Sequence, residues 1–320
     1  MTALLEVDGL VKHYAVRGGA VRAVDGVSFA VDRGETLSLV GESGCGKSTV
    51  GRCILRLVRP TAGQVAMRGQ RIDDLPERRL RPLRRHMQVV FQDPFSSLNP
   101  RQRVRDIIAE PLRNFRLASG AALTARVAEL LDQVGLPASA MQRWPHEFSG
   151  GQRQRIGIAR ALATGPDLLV CDEAVSALDV SVKAQIINLL LGLQERLDLA
   201  MLFISHDLAI VEHLTHRVAV MYLGRIVETA GRRALFATPR HPYTQALLSA
   251  VPVPDPGAVR QRTVLQGDVP SPLAPPRGCH FHTRCPVVFD RCRVEDPVPR
   301  QVAPGHIVAC HLAVATSTRP

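Results

Sequence analysis

The chain has 320 residues and a mass of 34.9 kDa, about two domains at the usual ~100–200 residues each; its 46% hydrophobic and 22% charged composition suits a chain that buries a core and excludes a tail or linker protein. The longest apolar stretches, Ile186 to Leu193 and Leu199 to Ile204, fall far short of a membrane span, and Met1 to Leu10 has acids but no Lys or Arg ahead of its apolar run, so no secretory signal and a cytosolic address are expected. Forty Lys+Arg against 29 Asp+Glu give a formal charge of +11, which suits anionic partners, yet only Lys12, Lys47 and Lys183 are lysines, an arginine bias that composition alone explains.

Leu4 to Leu39 alternates short apolar runs with turn signals at Gly18-Gly19, Asp25-Gly26 and Arg33-Gly34, which predicts several short strands. Glu35 to Val40 is a β-rich run entering a glycine-rich turn and a helical pattern from Ser48 to Leu57. A β pattern resumes over Thr61 to Gly69. Arg78 to Arg85 packs five arginines around Pro82 without aromatic residues, the pattern of a solvated face and not of a nucleic-acid stripe. From Val104 to about Arg143 the periodicity is helical, with a stop at Gly135 and Pro137. Leu168 to Cys171 reads as a buried strand, Val180 to Leu197 as a long amphipathic helix and Ala200 to Ile204 as another strand, an alternation that implies a parallel sheet. Twelve of the 23 prolines fall in the last seventy residues, so a loop-rich appendage is expected there.

Three segments carry chemistry. Gly41-Glu42-Ser43-Gly44-Cys45-Gly46-Lys47-Ser48-Thr49 follows a strand and opens a helix, the context in which backbone N–H groups curl around phosphate oxygens. A Cβ would obstruct that approach; Lys47 would reach the terminal phosphates and the Ser48 hydroxyl would ligate Mg²⁺. Leu168 to Glu173 is an apolar strand that ends in two acids, so Asp172 can hold Mg²⁺ while Glu173 orients or deprotonates an attacking water. Phe148-Ser149-Gly150-Gly151-Gln152-Arg153-Gln154-Arg155 opens a third helix; a structural cap explains Ser149 but does not call for two glycines and a glutamine.

From about Leu4 to Thr238 the sequence resembles the ATP-binding-cassette ATPases, whose signature corresponds to Phe148 through Gln152. The resemblance implies an α/β fold: a P-loop NTPase core with an antiparallel β subdomain, a helical insert at about 95–160 and a Pro/Cys-rich C-terminal appendage at 239–320. It also implies ATP and Mg²⁺ as ligands. Tyr14 would stack on adenine, and Gln92 in Val89-Val90-Phe91-Gln92-Asp93-Pro94 would sense Mg²⁺ and γ-phosphate. Asp179 lies in the D-loop Ser176-Ala177-Leu178-Asp179, and His206 matches the switch histidine. The family usually has proline after the catalytic glutamate; Ala174 stands there and is expected to loosen the strand exit. With one loop and one signature per chain, the implied functional unit is a dimer, each ATP clamped between the loop of one subunit and Ser149, Gly150, Gly151 and Gln152 of another.

Val89 to Arg101 and His241 to Leu248 followed by Pro252 are similar to the oligopeptide/dipeptide-permease ATPases, especially their F-type subunit. That likeness implies a peripheral subunit on the cytosolic face of the inner membrane. Its partners would be transmembrane permease subunits, a second ATPase subunit (a paralogue, or a second copy) and, indirectly, an extracytoplasmic binding protein; no nucleic-acid partner is expected. Nickel complexes or glutathione are alternative cargoes for such an importer, and a soluble ABC protein acting on nucleic acid is the alternative from another class. Cys279, Cys285, Cys292 and Cys310 suggest a metal staple, a zinc site or a [4Fe–4S] cluster, and the permease subfamily implies the cluster. A mixed site drawing on His280, His282, His306 or His311 is also open. Cys45, Cys53 and Cys171 read as small packing residues.

Overall fold

A computed structural model of the chain describes residues 3–93, 97–251 and 265–313. Pro94, Phe95 and Ser96 of the permease-like stretch, and Pro252, lie outside the described residues. In chain order the elements begin with β1 (Leu5–Val16), β2 (Gly19–Val31), β3 (Thr36–Val40), α1 (Lys47–Ile54), β4 (Ala62–Met67), β5 (Gln70–Arg71), α2 (Glu77–Leu83) and β6 (Met87–Val90). They continue with α3 (Val104–Asn114), α4 (Gly120–Gln133), α5 (Gly150–Leu162), β7 (Leu168–Asp172), α6 (Val180–Leu197), β8 (Ala200–Ser205) and α7 (Leu208–Leu214). The last are β9 (Arg217–Tyr222), β10 (Arg225–Gly231), α8 (Arg232–Ala237), α9 (Pro242–Ser249), α10 (Asp290–Val294), β11 (Arg300–Ala303) and β12 (His306–Val308).

The chain divides into two compact units. One, the terminal unit, comprises residues 5–30, 36–66 and 205–320; the other, the central unit, comprises residues 1–4, 31–35 and 67–204.

In the terminal unit β3 is buried at all five positions, as an apolar run inside a sheet should be. It pairs in parallel with β9, Leu37 to Val40 facing Arg217 to Val220. β9 turns into β10 as an antiparallel pair, and β10 then pairs antiparallel with β12, Glu228 opposite Val308, so a strand of the cysteine-bearing tail extends this sheet. A second sheet runs β2–β1–β4. The predicted string of short strands here is instead two long ones joined at Arg17-Gly18. Gly9 and Gly26 have positive φ (53° and 83°) inside the strands, so glycine carries the backbone through an irregularity rather than ending the element.

The central unit contains the parallel strands β6, β7 and β8, with Val89 opposite Val170 and Cys171 opposite Phe203. β7 and β8 are apolar and buried almost throughout, the pattern of strands covered on both faces. The predicted helical stretch is α3 and α4. They bury Val104, Ile107, Ile108 and Leu112 from one helix and Leu123, Val127, Leu130 and Leu131 from the other, spacings of three and four residues that form one apolar stripe each. Gly135, at φ 68°, takes the chain out of α4 in the left-handed conformation that suits glycine. In α2, Arg78, Arg79 and Arg81 face solvent while Leu80 is buried, as the arginine pattern predicts.

Candidate nucleotide site

In the terminal unit, β3 delivers the chain to a loop that only glycine can follow. Gly41 and Gly46 have φ of 151° and 108°; a Cβ on Gly41 would strike the Met221 carbonyl oxygen, and one on Gly46 the Ala23 carbonyl oxygen. Gly44 also has positive φ, 78°, with open space where a Cβ would project. The glycines therefore serve both the curl and the close approach of strands. Lys47, the first residue of α1, is 4% exposed, and its Nζ donates to the carbonyl oxygens of Gly41 (2.8 Å) and Glu42 (2.9 Å). The ammonium thus lies across the mouth of its own loop on neutral acceptors, which bind it less strongly than phosphate oxygens do. Ser48 and Thr49 follow on the first turn of α1, where N–H groups lack helical partners.

Tyr14 lies near the end of β1 and is 37% exposed, with Lys12 Nζ 4.7 Å from its ring centroid. It is thus a surface aromatic, as stacking on a base requires, and not a core residue. His206 is exposed between β8 and α7. The turn after it is fixed: Ser205 Oγ accepts from the Asp207 N–H, and the Asp207 carboxylate caps α7 at Ala209 and Ile210.

In the central unit, contacts to backbone carbonyls tie the end of β7 and the residue before Gln92 to the helix that the signature opens. Asp172 closes β7, and Glu173 follows in the left-handed region at φ 50°, unusual for a residue with a Cβ. Its N–H donates to the Ile204 carbonyl, and its carbonyl accepts from both the N–H and the hydroxyl of Ser176. Ala174 is buried and its carbonyl accepts from Gln154 Nε2 at 2.7 Å. Hydrogen bonds thus hold the chain at Glu173 and at Ala174, where the family usually has proline. Gln154 also donates to the Phe91 carbonyl at 3.3 Å, which ties the residue before Gln92 to the same amide. Gln92 and Asp179 are exposed.

The signature residues sit at the start of α5. Ser149 Oγ accepts from the Gln152 N–H and Gln152 Oε1 accepts from the Ser149 N–H, a reciprocal capping box, so Gln152 has the structural reason that the sequence reading did not find. Gly151 is buried against α6: a Cβ there would overlap Val182. Gln154 was overlooked because its two partners are remote in sequence. A buried amide one turn past a helix start was its only signal.

Residues 24–176 match the family model described as ABC transporter, and residues 227–292 match the model described as oligopeptide/dipeptide transporter, C-terminal region. The chain is 53% identical over 319 residues to the oligopeptide transport ATP-binding protein AppF of Bacillus subtilis, covering 97% of each. It is 56% identical over 317 residues to the Sinorhizobium fredii protein named "Probable peptide ABC transporter ATP-binding protein y4tS", covering 97% of this chain and 90% of that one. The chain belongs to the ABC transporter ATPases. Among solved structures, the ABC cassette MJ0796, a dimer in a post-hydrolysis state bound to ADP and Pi, superposes with a TM-score of 0.66 at 28% identity, covering 72% of this chain and 99% of that one. The cbiO1 subunit of Clostridium perfringens superposes at 0.67 and 27%, covering 74% and 92%.

The glycine cradle and the helix start of this ABC ATPase fit a triphosphate, and Ser48 and Asp172 are the oxygen donors of the kind Mg²⁺ takes. The expected cysteine metal site is not supported. Among the described residues no group of three or more His, Cys, Asp or Glu is arranged to hold a metal ion. Cys279, Cys285, Cys292 and Cys310 are free thiols. Burial pushes the Cys279 pKa up to about 11 and raises those of Cys285 and Cys310, and the nearness of the four thiols to one another adds to the shift. One ring nitrogen of each nearby histidine has a partner: that of His306 pairs with Glu228, and those of His280, His282 and His311 lie against the carbonyls of Leu223, Cys279 and Glu295. As placed, the described residues support neither the cluster nor the zinc alternative. Cys45, Cys53 and Cys171 are buried, as packing residues are.

Proposed function

We propose that this chain is the ATP-hydrolysing subunit that energises import of di- or oligopeptides by a membrane ABC transporter. One observation carries the peptide assignment: identity above 50% runs almost end to end to proteins named for peptide transport, and the oligopeptide/dipeptide-transporter match covers residues 227–292, beyond the nucleotide-binding motifs. In this reading residues 1–238 bind and hydrolyse the nucleotide, with an insert at about 95–160, and 239–320 form the appendage. Among the described residues no helix is long and apolar enough to cross a membrane, which supports a peripheral subunit held by transmembrane partners at the cytosolic face.

Each residue has a role set by its chemistry. The loop 41–49 wraps the phosphates with N–H groups, Lys47 leaves its carbonyls for phosphate oxygens, and Tyr14 stacks on the base. Ser48 and Asp172 would hold Mg²⁺ and Gln92 would sense it, and the ion would supply positive charge against the phosphates. Glu173 orients and deprotonates the attacking water, and His206 and Asp179 complete the hydrolytic surroundings. Ser149 and Gly151 donate to the nucleotide of the opposite subunit, a paralogous cassette in the F-type reading. ATP thereby favours the closed pair, and its loss on hydrolysis releases the stroke.

Glu173→Gln tests the assignment. In the assembled transporter, ATP binding should persist while turnover falls by ~10²-fold or more, the range of lost general-base catalysis; unchanged turnover removes Glu173 from the role. Peptide uptake into vesicles that depends on ATP should fail with the same variant, and uptake of a nickel complex or of glutathione in place of peptides would reassign the cargo.

A further inference from the structure

The phosphate loop carries a carboxylate that works against its purpose. Glu42 is the second residue of the loop, and a negative charge there repels a triphosphate. Lys47 does not neutralise it by contact, because its Nζ is bonded to the carbonyls of Gly41 and Glu42. The neutralising group comes from 242 residues further along the chain. Arg284, in the appendage, forks onto the Glu42 carboxylate, Nη1 to Oε2 at 2.7 Å and Nη2 to Oε1 at 3.1 Å. The Arg284 side chain is only 8% exposed and that of Glu42 29%, so the pair is shielded from the screening that weakens surface ion pairs.

The appendage grips the same residue a second time. The Glu42 N–H donates to the Tyr243 hydroxyl at 2.9 Å. Tyr243 is fully buried in an aromatic cluster with Tyr222 and Phe281, ring centroids 4.7 to 5.4 Å apart, and Phe281 lies three residues before Arg284. All three polar groups of Glu42 are thus committed: N–H to Tyr243, carbonyl to Lys47 and carboxylate to Arg284.

We propose that Arg284 is a positioning residue for ATP: it neutralises the Glu42 carboxylate and holds it aside, so that the loop presents a cationic face to the phosphates, and the C-terminal appendage is thereby part of the nucleotide site. The inference rests on reading residues 41–49 as the ATP phosphate loop. It gives the appendage a task that needs no metal.

The test is a charge rescue on the full-length chain, read by equilibrium titration with a fluorescent ATP analogue and by the ATPase rates of the assembled complex. Arg284→Gln should weaken nucleotide binding at least tenfold and raise KM for ATP by a similar factor, while kcat changes no more than threefold. In Glu42→Gln/Arg284→Gln most of the lost affinity should return, because the uncompensated carboxylate has gone; Arg284→Lys should retain more affinity than Arg284→Gln. A merely structural Arg284 predicts no rescue, so a double variant as weak as Arg284→Gln overturns the proposal, as does an Arg284→Gln chain that melts like the parent and binds ATP equally well. Should Arg284→Gln not fold, the comparison of Arg284→Lys with the double variant decides by the same criterion. Lys47→Ala separates the two levels. If it leaves ATP binding intact the loop reading itself fails; if it abolishes binding while Arg284→Gln does not weaken it, only the role of Arg284 fails.

Discussion

Gln154 shows how much one buried side chain can hold. It is 1% exposed, and its amide nitrogen donates to Phe91, the residue before Gln92, and to Ala174, the residue after Glu173. Gln154→Leu keeps the bulk but leaves two carbonyls without that donor, at about 1–3 kcal/mol for each group left unsatisfied in the interior. Urea unfolding should therefore show a loss of about 2 kcal/mol or more. Glu173 already sits at φ 50°, so freeing its neighbour should lower kcat more than it raises KM for ATP. Equal kcat in the variant and the parent would show that the Ala174 contact is not needed to place Glu173. At this scale the motifs that were legible in sequence are those whose chemistry is local. Gly41 to Thr49 folds on itself, and its glycines can be read from spacing alone. Gln154 and Arg284 act on residues 20 to 242 positions away, and no local pattern announces such a contact.

Helix α9 illustrates the next scale, because its first turn couples the appendage to pH. His241 is its N-cap, with Nδ1 accepting from the Tyr243 N–H, so the ring must be neutral on that nitrogen. Burial alone pushes its pKa down to about 3, from 6.5 in an unfolded chain. Between those values the unfolded chain takes up a proton that the folded one refuses. The His241 contribution is therefore intact above about pH 6.5 and is lost progressively as pH falls toward 3, by about 2 kcal/mol at pH 5. His241→Asn keeps a capping acceptor and removes the titration. Its unfolding free energy should change less between pH 7 and pH 5 than that of the parent, and parallel pH profiles would show that His241 does not titrate across unfolding. Element boundaries were legible where periodicity was strong: α6 spans Val180–Leu197 as its amphipathic pattern predicts. They were misread in β2, where Asp25-Gly26 looks like a turn but sits inside a long strand. The tail was legible as loop-rich from its prolines, but not that β12 would pair with β10. That pairing is reinforced by a buried Glu228–His306 contact of 2.7 Å between residues 78 apart in sequence.

For the whole molecule, net charge makes the choice of partner testable. Each chain supplies one phosphate loop and one signature, and Val180, beside the exposed Asp179 at the start of α6, is 83% exposed, as an apolar side chain awaiting a second cassette would be. Two copies of this chain would each carry a formal net charge of +11, offset only in part by the bound nucleotides. Like charges of that size oppose association over distances set by the screening length, which shrinks from about 30 Å at 0.01 M salt to about 10 Å at 0.1 M. At saturating ATP and Mg²⁺, self-association of the Glu173→Gln chain should therefore tighten as salt rises through that range, and ADP should leave it monomeric. Ser149→Arg, which places a bulky cation where the signature meets the nucleotide, should abolish the ATP-dependent species. Sedimentation velocity distinguishes the cases. If the chain stays monomeric with ATP at every salt concentration, while a co-expressed paralogous cassette converts it to a dimer that loosens with added salt, the natural pair is a heterodimer matched in charge as well as in shape.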